Sequence, residues 1–221
     1  MDFDLVILIV VVVLNSFLCL TVFLGGKGKI NSIFSGFILF VILWSVVNYL
    51  AEILTNELVV RYLLGLTYAA ALIIVTLFLR FVSIFPEDAN RKLSLYEKIF
   101  YPTSFLFVIL SFTSLIVQNV YIVEPRNFIS TGPAIVGYML FFILLVLVAF
   151  LILFKKFAKL KGVERLQVLF VILGTILTVV GAVVTNLIIP FITDAWDASR
   201  YGPYFSLFLI IQYLLIYLYI F

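Results

Sequence analysis

Seven apolar blocks follow one another along this 221-residue chain, with only short polar connections between them. A helix that crosses a bilayer needs about 20 consecutive apolar residues, whereas a membrane β-strand needs about 10 residues of alternating character. Because the blocks are long and do not alternate, we predict that each forms a transmembrane helix. The predicted spans cover about residues 4–24, 30–54, 60–85, 99–117, 134–153, 166–190 and 203–221. The sequence thus predicts one domain, 1–221, that is an all-α integral membrane protein, a seven-transmembrane helix bundle.

The composition excludes several other classes of protein. Hydrophobic residues make up 66% of the chain and charged residues only 11%, against about 25% charged residues in ordinary soluble domains. A soluble globular protein, a disordered chain and a nucleic-acid binder are therefore excluded. The chain has no histidine, and Cys19 is its single cysteine, which rules out histidine-based metal sites and an intrachain disulfide. It contains neither a Gly-x-Ser-x-Gly motif nor a charged residue near mid-bilayer, so we expect no enzymatic activity, cofactor or metal.

Charge is segregated between alternate connections. One side carries 11 of the 14 basic residues, namely Lys27, Lys29, Arg80, Arg91, Lys92, Lys98, Lys155, Lys156, Lys159, Lys161 and Arg165. The other side carries Arg61, Arg126 and Arg200, and seven of the 11 acidic residues, namely Asp2, Asp4, Glu52, Glu57, Glu124, Asp194 and Asp197. Since basic loops remain in the cytoplasm, we predict a multi-pass protein of the cell membrane with its N-terminus outside and its C-terminus cytoplasmic.

Polar residues share one face of the second predicted helix. Trp44, Asn48 and Glu52 are spaced four residues apart, which places them on the same face. One interpretation is structural: Asn48 bonds to a neighbouring helix, and Glu52 pairs with Arg61 across the short outer loop. The other is functional: this face forms the wall of a pocket that opens to the outside.

Small and hydroxyl residues line the sixth predicted helix. Gly174, Thr178, Gly181 and Thr185 recur on one face, which is typical of close helix–helix packing. Pro190 frees the carbonyl of the residue four positions earlier, so we expect a kink or an irregular end near the outer surface.

Three isolated polar residues are given structural roles. We expect Asn15 in the first helix and Gln212 in the seventh to make interhelical hydrogen bonds. Arg80, near the end of the third helix, is expected to extend its guanidinium to the cytoplasmic interface.

These segments, taken in order, resemble a known family. The pieces are a mid-helix tryptophan in the second block, a Phe-x-x-x-Phe-Pro ending at Phe81–Pro86, Tyr101-Pro102 at the fourth block, an Arg-x-Gln … Gly … Asn-x-x-x-Pro pattern over Arg165–Pro190, and Gly202-Pro203 before the last block. Together they are similar to the seven-helix N-terminal membrane region of bacterial and archaeal sensor histidine kinases. The resemblance covers nearly the whole chain.

The resemblance implies a sensor whose helix rearrangement passes through the seventh helix to a cytoplasmic output. In the family that output is a phosphoacceptor-histidine domain followed by an ATP-binding kinase domain. Neither is present in this sequence. We therefore expect the output to come from another polypeptide or from sequence beyond Phe221.

Three hypotheses of function follow. The first is a membrane sensor or receptor module whose ligand-binding residues are Trp44, Asn48, Glu52, Tyr68 and Asn186. The second is a structural or assembly subunit of a membrane protein complex, and the third is a carrier of small uncharged solutes. The expected partners are the lipid bilayer, a protein or cytoplasmic output domain in trans and, as an alternative, a second copy of the chain in a homodimer; no nucleic acid is expected.

Overall fold

The computed structural model describes residues 3–25, 28–86, 92–123, 126–193 and 196–210. Within these ranges the protein is a bundle of helices with one β-hairpin. In chain order the elements are α1 (Phe3–Leu24), α2 (Lys29–Ile53), α3 (Glu57–Ile84), α4 (Leu95–Leu110), β1 (Val117–Val123), β2 (Arg126–Thr131), α5 (Ile135–Lys159), α6 (Gly162–Val183), a π-helix (Val184–Ile188), α7 (Ile189–Thr193) and a 3₁₀-helix (Trp196–Ser206).

Five of these helices, α1, α2, α3, α5 and α6, are long and apolar enough to cross a membrane. They coincide with the first, second, third, fifth and sixth predicted spans, although α5 continues to Lys159 and α6 already begins at Gly162. The protein is therefore a helical, multi-pass membrane bundle. Most of the seventh predicted span, including Gln212, lies outside the described residues; its described part continues as an apolar helix to Ile210.

The fourth predicted span, 99–117, is wrong at both ends. Helix α4 has 16 residues, fewer than the about 20 that a span needs. It begins earlier because Ser94 and Glu97 form a capping box. It ends at Leu110, where the Ser111 and Thr113 hydroxyls donate to the Phe107 and Leu110 carbonyl oxygens at 2.8 and 2.7 Å. Such local bonds compete with helix continuation.

A β-hairpin stands where the sequence predicted only a loop between Tyr121 and Pro133. Strands β1 and β2 pair antiparallel, with Val120 opposite Ile129. Val117 and Val120 are buried, so one face of the hairpin covers the end of the bundle. Because Val117 is apolar, hydropathy alone assigned it to the preceding span, and the all-α prediction missed this small sheet.

Helices α2, α3, α5 and α6 form a closed ring together with the 3₁₀-helix, each element packing against the next. Helix α1 packs outside this ring against α2 and the 3₁₀-helix, and α4 packs against α3. Asn15 of α1 is fully buried and donates from Nδ2 to Ser206 Oγ of the 3₁₀-helix at 3.1 Å. The predicted interhelical bond of Asn15 is therefore confirmed.

The prediction that Arg80 extends its guanidinium to the cytoplasmic interface is incomplete, because the guanidinium forms an ion pair with Glu97. Its Nη1 lies 3.0 Å from Oε1 of Glu97, whose side chain is 0% exposed. The same carboxylate accepts hydrogen bonds from the Tyr101 hydroxyl and from the backbone N–H and hydroxyl of Ser94. Glu97 precedes the predicted fourth span. Burial raises the pKa of its carboxyl, but the hydrogen bonds from Ser94, Arg80 and Tyr101 lower it by more, so the pKa lies below its ordinary value.

A lysine closes the same end of α3. The Lys156 ammonium of α5 donates to the carbonyl oxygens of Ser83, at 3.1 Å, and Phe85. These carbonyls belong to the last turn of α3 and its cap, where no intrahelical donor remains for them. The Arg80–Glu97 pair and Lys156 therefore join α3 to α4 and to α5 at the predicted cytoplasmic end.

Arg80→Met should lower the free energy of unfolding by about 3 kcal/mol, because it leaves the Glu97 carboxylate buried without its counter-charge. The double variant Arg80→Met/Glu97→Met should lose less than Arg80→Met alone, since no charge is then left unpaired. Denaturant unfolding in detergent measures both, with the exposed Lys98→Met as the matched control. Equal losses for Arg80→Met and Lys98→Met would contradict a structural role for the ion pair.

Candidate functional site

The ring of helices encloses a central cavity of about 120 Å³. Its walls come from α2, α3, α5, α6, the π-helix and the 3₁₀-helix, and the lining residues that the structure describes carry no charge. Helix crossings in a bundle leave such sites between helices, and small-molecule pockets commonly occupy them.

Four of the five predicted ligand-binding residues line this central cavity: Trp44, Asn48, Tyr68 and Asn186. Glu52 does not. It lines a second cavity of about 10 Å³ between α1, α2 and the 3₁₀-helix, which shares only Asn48 with the central cavity. The i, i+4 spacing placed Glu52 on the right face of α2, but it lies one turn beyond the central cavity.

The two ends of the central cavity differ in polarity. Its polar end holds the amide side chains of Asn48 and Asn186, near the ends of α2 and α6 that point away from the basic loops. The opposite, apolar end lies toward the basic loops; its lining residues are Phe37, Val75, Phe78, Val146 and Leu209, together with Thr175. A molecule in the cavity therefore meets amides at one end and mainly hydrocarbon at the other.

Asn186 lies in the π-helix that interrupts the end of α6. The Ile189 N–H bonds to the Val184 carbonyl, which widens the turn, and Asn186 Nδ2 donates to the Ala182 carbonyl at 3.0 Å. The irregular backbone predicted from Pro190 is thus confirmed; Pro190 itself follows in α7. Short π-helical insertions are frequent at functional sites.

Glycines allow the 3₁₀-helix to approach α6 and the π-helix closely. A Cβ on Gly202 would lie 1.8 Å from Asn186 Nδ2 and 3.0 Å from the Trp44 ring. A Cβ on Gly181 would lie 2.1 Å from the Phe205 ring. Side chains at either position would force these elements apart, so both glycines set the width of the cavity.

The predicted packing face of α6 is directed toward the same region. Thr178 Oγ1 lies within hydrogen-bond distance of the Gly174 and Phe205 carbonyls, at 2.9 and 3.0 Å, and Thr185 donates to the Gly181 carbonyl at 2.9 Å. The threonine hydroxyls are therefore bound to backbone. The other predicted structural contact, an ion pair of Arg61 with Glu52, is not among the ion pairs of the described residues.

Sequence reasoning missed two contributors to the central cavity. Tyr138 of α5 is fully buried and donates from its hydroxyl to the Tyr68 carbonyl at 2.7 Å, with the two rings edge to face at 5.4 Å. Ile129 of β2 also lines the cavity, so the hairpin covers its polar end. Neither residue stood out, because Tyr138 lies in a uniformly apolar block and Ile129 lies in a segment predicted to be a loop.

Comparison with known proteins places the chain in a family. A family described as the N-terminal 7TM region of histidine kinase matches residues 7–221, which is nearly the whole chain. No curated protein and no solved structure matches the chain.

Gly202→Ala should destabilise the protein by about 1–3 kcal/mol, because the added methyl collides with the Asn186 amide. Gly137→Ala in α5 is the matched control, since its Cβ would meet only the Phe107 ring at 3.8 Å. Thermal unfolding in detergent compares the two. Equal stability of both variants would show that the 3₁₀-helix does not pack against the π-helix in this way.

Proposed function

Since the chain belongs to the family of N-terminal seven-transmembrane regions of histidine kinases, we propose that it is a membrane sensor module. The observation that carries this proposal is the central cavity, whose polar end is built jointly by α2, the π-helix and the 3₁₀-helix. We propose that a molecule bound there is the signal. The output is a kinase on the cytoplasmic side, supplied by the same polypeptide or by a partner.

The route of the signal follows from the contacts at Gly202. This residue lies against both Asn186 and Trp44, so a molecule that displaces either side chain also displaces the 3₁₀-helix. A ligand shifts such an equilibrium only by its different affinity for the two arrangements. The seventh segment, which continues from the 3₁₀-helix, then carries the movement toward the cytoplasm.

The proposed topology has seven spans in the cell membrane, with the N-terminus outside and the C-terminus cytoplasmic. The distribution of basic residues supports it. In this orientation the polar end of the cavity and the hairpin face outward, and the seventh span leads to the cytoplasm. We also propose that the module has no catalytic activity of its own and acts through a protein partner or output domain; a homodimer would let two such modules act on a dimeric kinase.

The topology predicts a pattern of labelling in cells. In a Cys19→Ser background, Thr55→Cys should react with a membrane-impermeant maleimide from outside, because it lies between α2 and α3. Lys161→Cys, between α5 and α6, should react only after the membrane is permeabilised. Labelling of both positions in intact cells would be incompatible with the proposed orientation.

The sensor proposal predicts that Pro190→Ala changes kinase output. Without the proline the π-helix is free to become regular, and the balance between two arrangements should shift; coupling energies of this kind change an equilibrium about 5-fold or more. The measurement is phosphohistidine on the output kinase in native membranes. Pro102→Ala, inside α4 and away from the cavity, is the control.

Two results would count against a sensor. One is the same phosphohistidine level in Pro190→Ala and the wild type, with equal amounts of folded protein. The other is copurification of the chain at fixed stoichiometry with a complex that contains no kinase, which would instead favour a structural subunit.

A further inference from the structure

We infer that the ligand of the central cavity is an uncharged amphiphile with one unbranched chain and one hydrogen-bonding head group. The head group binds near Asn48 and Asn186, and the chain extends toward Phe37 and Phe78. This inference rests on the proposed function for its biological meaning and on the cavity itself for its chemistry.

The described lining of the cavity favours an uncharged ligand. Among the lining residues that the structure describes there is no lysine, arginine, aspartate or glutamate, and the nearby Glu52 borders the small second cavity. Moving an ion from water into such a site costs several kcal/mol unless a counter-charge repays it. A neutral molecule avoids that cost.

The polar groups at one end fix where the head group lies. Asn186 Nδ2 is already engaged with the Ala182 carbonyl and Thr185 Oγ1. The side-chain oxygen Oδ1 is an acceptor, so a ligand that binds beside Asn186 complements it best with a hydrogen-bond donor. Asn48 lies at the corresponding height on α2, and Trp44 lies one turn below it. A hydroxyl or primary amide head group offers the donor that such an arrangement needs.

The dimensions favour a chain over a ring system. The lining runs along α2 from Phe37 to Asn48, and at 1.5 Å per residue these positions lie about 16 Å apart. An extended alkyl chain follows a site of that length, whereas a compact ring would occupy only part of it.

The test uses n-decanol, decanoate and decylammonium as probes of one chain length. The protein is placed in phosphatidylcholine nanodiscs, and Trp196→Phe leaves Trp44 as the only tryptophan, so its emission reports the cavity. Decanol should give a saturable change in emission. Decanoate and decylammonium should bind about 100-fold more weakly, and Asn48→Leu should weaken decanol binding about five-fold through loss of the head-group bond.

Filling the cavity provides the matched comparison. Ala71 lines it at mid-height on α3, so Ala71→Phe should abolish the saturable signal, while Ala158→Phe adds the same ring at an exposed position of α5 and should leave the signal unchanged. If Ala71→Phe does not fold, Ala182→Leu in α6 narrows the same cavity near its polar end. No saturable signal in the parent, equal binding of decanoate, or full binding in the filled variants would overturn the inference.

Lipid extraction from the purified protein identifies the source of the amphiphile. An uncharged single-chain lipid released from the parent but not from Ala71→Phe identifies the bilayer as the source. Decanol binding without any such lipid identifies a free amphiphile, and both results support the class. A charged or two-chain lipid released only from the parent would overturn it.

The two proposals fail separately. Decanol binding that leaves phosphohistidine on the output kinase unchanged would overturn the sensor function and keep the ligand class. A changed phosphohistidine level in Pro190→Ala, without decanol binding in the parent, would overturn the ligand class and keep the sensor.

Discussion

Inside a bilayer every backbone N–H and C=O must find its partner within the protein, because hydrocarbon offers none. This constraint accounts for the distribution of regular and irregular backbone in the described structure. The five long apolar helices satisfy their groups internally. The π-helix and the 3₁₀-helix both border the central cavity, and the hairpin, whose strands pair with each other, covers the end of the bundle. Irregular backbone thus lies where other protein atoms cover it.

The same constraint explains how the C-terminal segment is held. It is bonded to elements on two sides: Tyr204 donates to Asp4 of α1 at 2.7 Å, and the Phe205 carbonyl lies 3.0 Å from the Thr178 hydroxyl of α6. Between these contacts, Gly202 brings its backbone against the cavity wall. The described part of the segment is therefore attached through polar bonds and close backbone contacts, together with the buried side chain of Leu209. Packed contacts of this kind change between discrete arrangements rather than continuously.

The sequence predicted those parts of the fold that depend on length and hydropathy. The five long helices were predicted correctly because an apolar segment of sufficient length spans a membrane as a helix. The bounds of α4 and the hairpin were not predicted, because hydropathy does not distinguish an apolar residue of a strand, such as Val117, from one of a transmembrane helix. The Arg80–Glu97 pair was missed because its partners are 17 positions apart across a polar loop, and no periodicity links residues on two different helices.

The candidate site shows the same division between what local spacing determines and what packing determines. The spacing of Trp44 and Asn48 identified the inward face of α2, and Pro190 located the irregular backbone next to Asn186. Spacing did not determine how far along α2 the cavity extends, because that depends on where α3 and the 3₁₀-helix cross α2. Glu52 was therefore assigned to the site although it lines the second cavity. Nor could single-helix spacing reveal Tyr138, because its position at the site depends on the packing of α5 against α3, where its hydroxyl donates to the Tyr68 carbonyl.

The placement of charge gives the molecule two separate regions. Ionic contacts, represented in the described residues by Arg80 with Glu97 and by Lys156 on the end of α3, join helices at the basic end. The lining residues that the structure describes carry no charge, so the polarity of the central cavity comes from a few amide and hydroxyl groups. The π-helix and the 3₁₀-helix border the cavity and take no part in these named ionic contacts, so the two regions of the bundle are held together by different kinds of interaction.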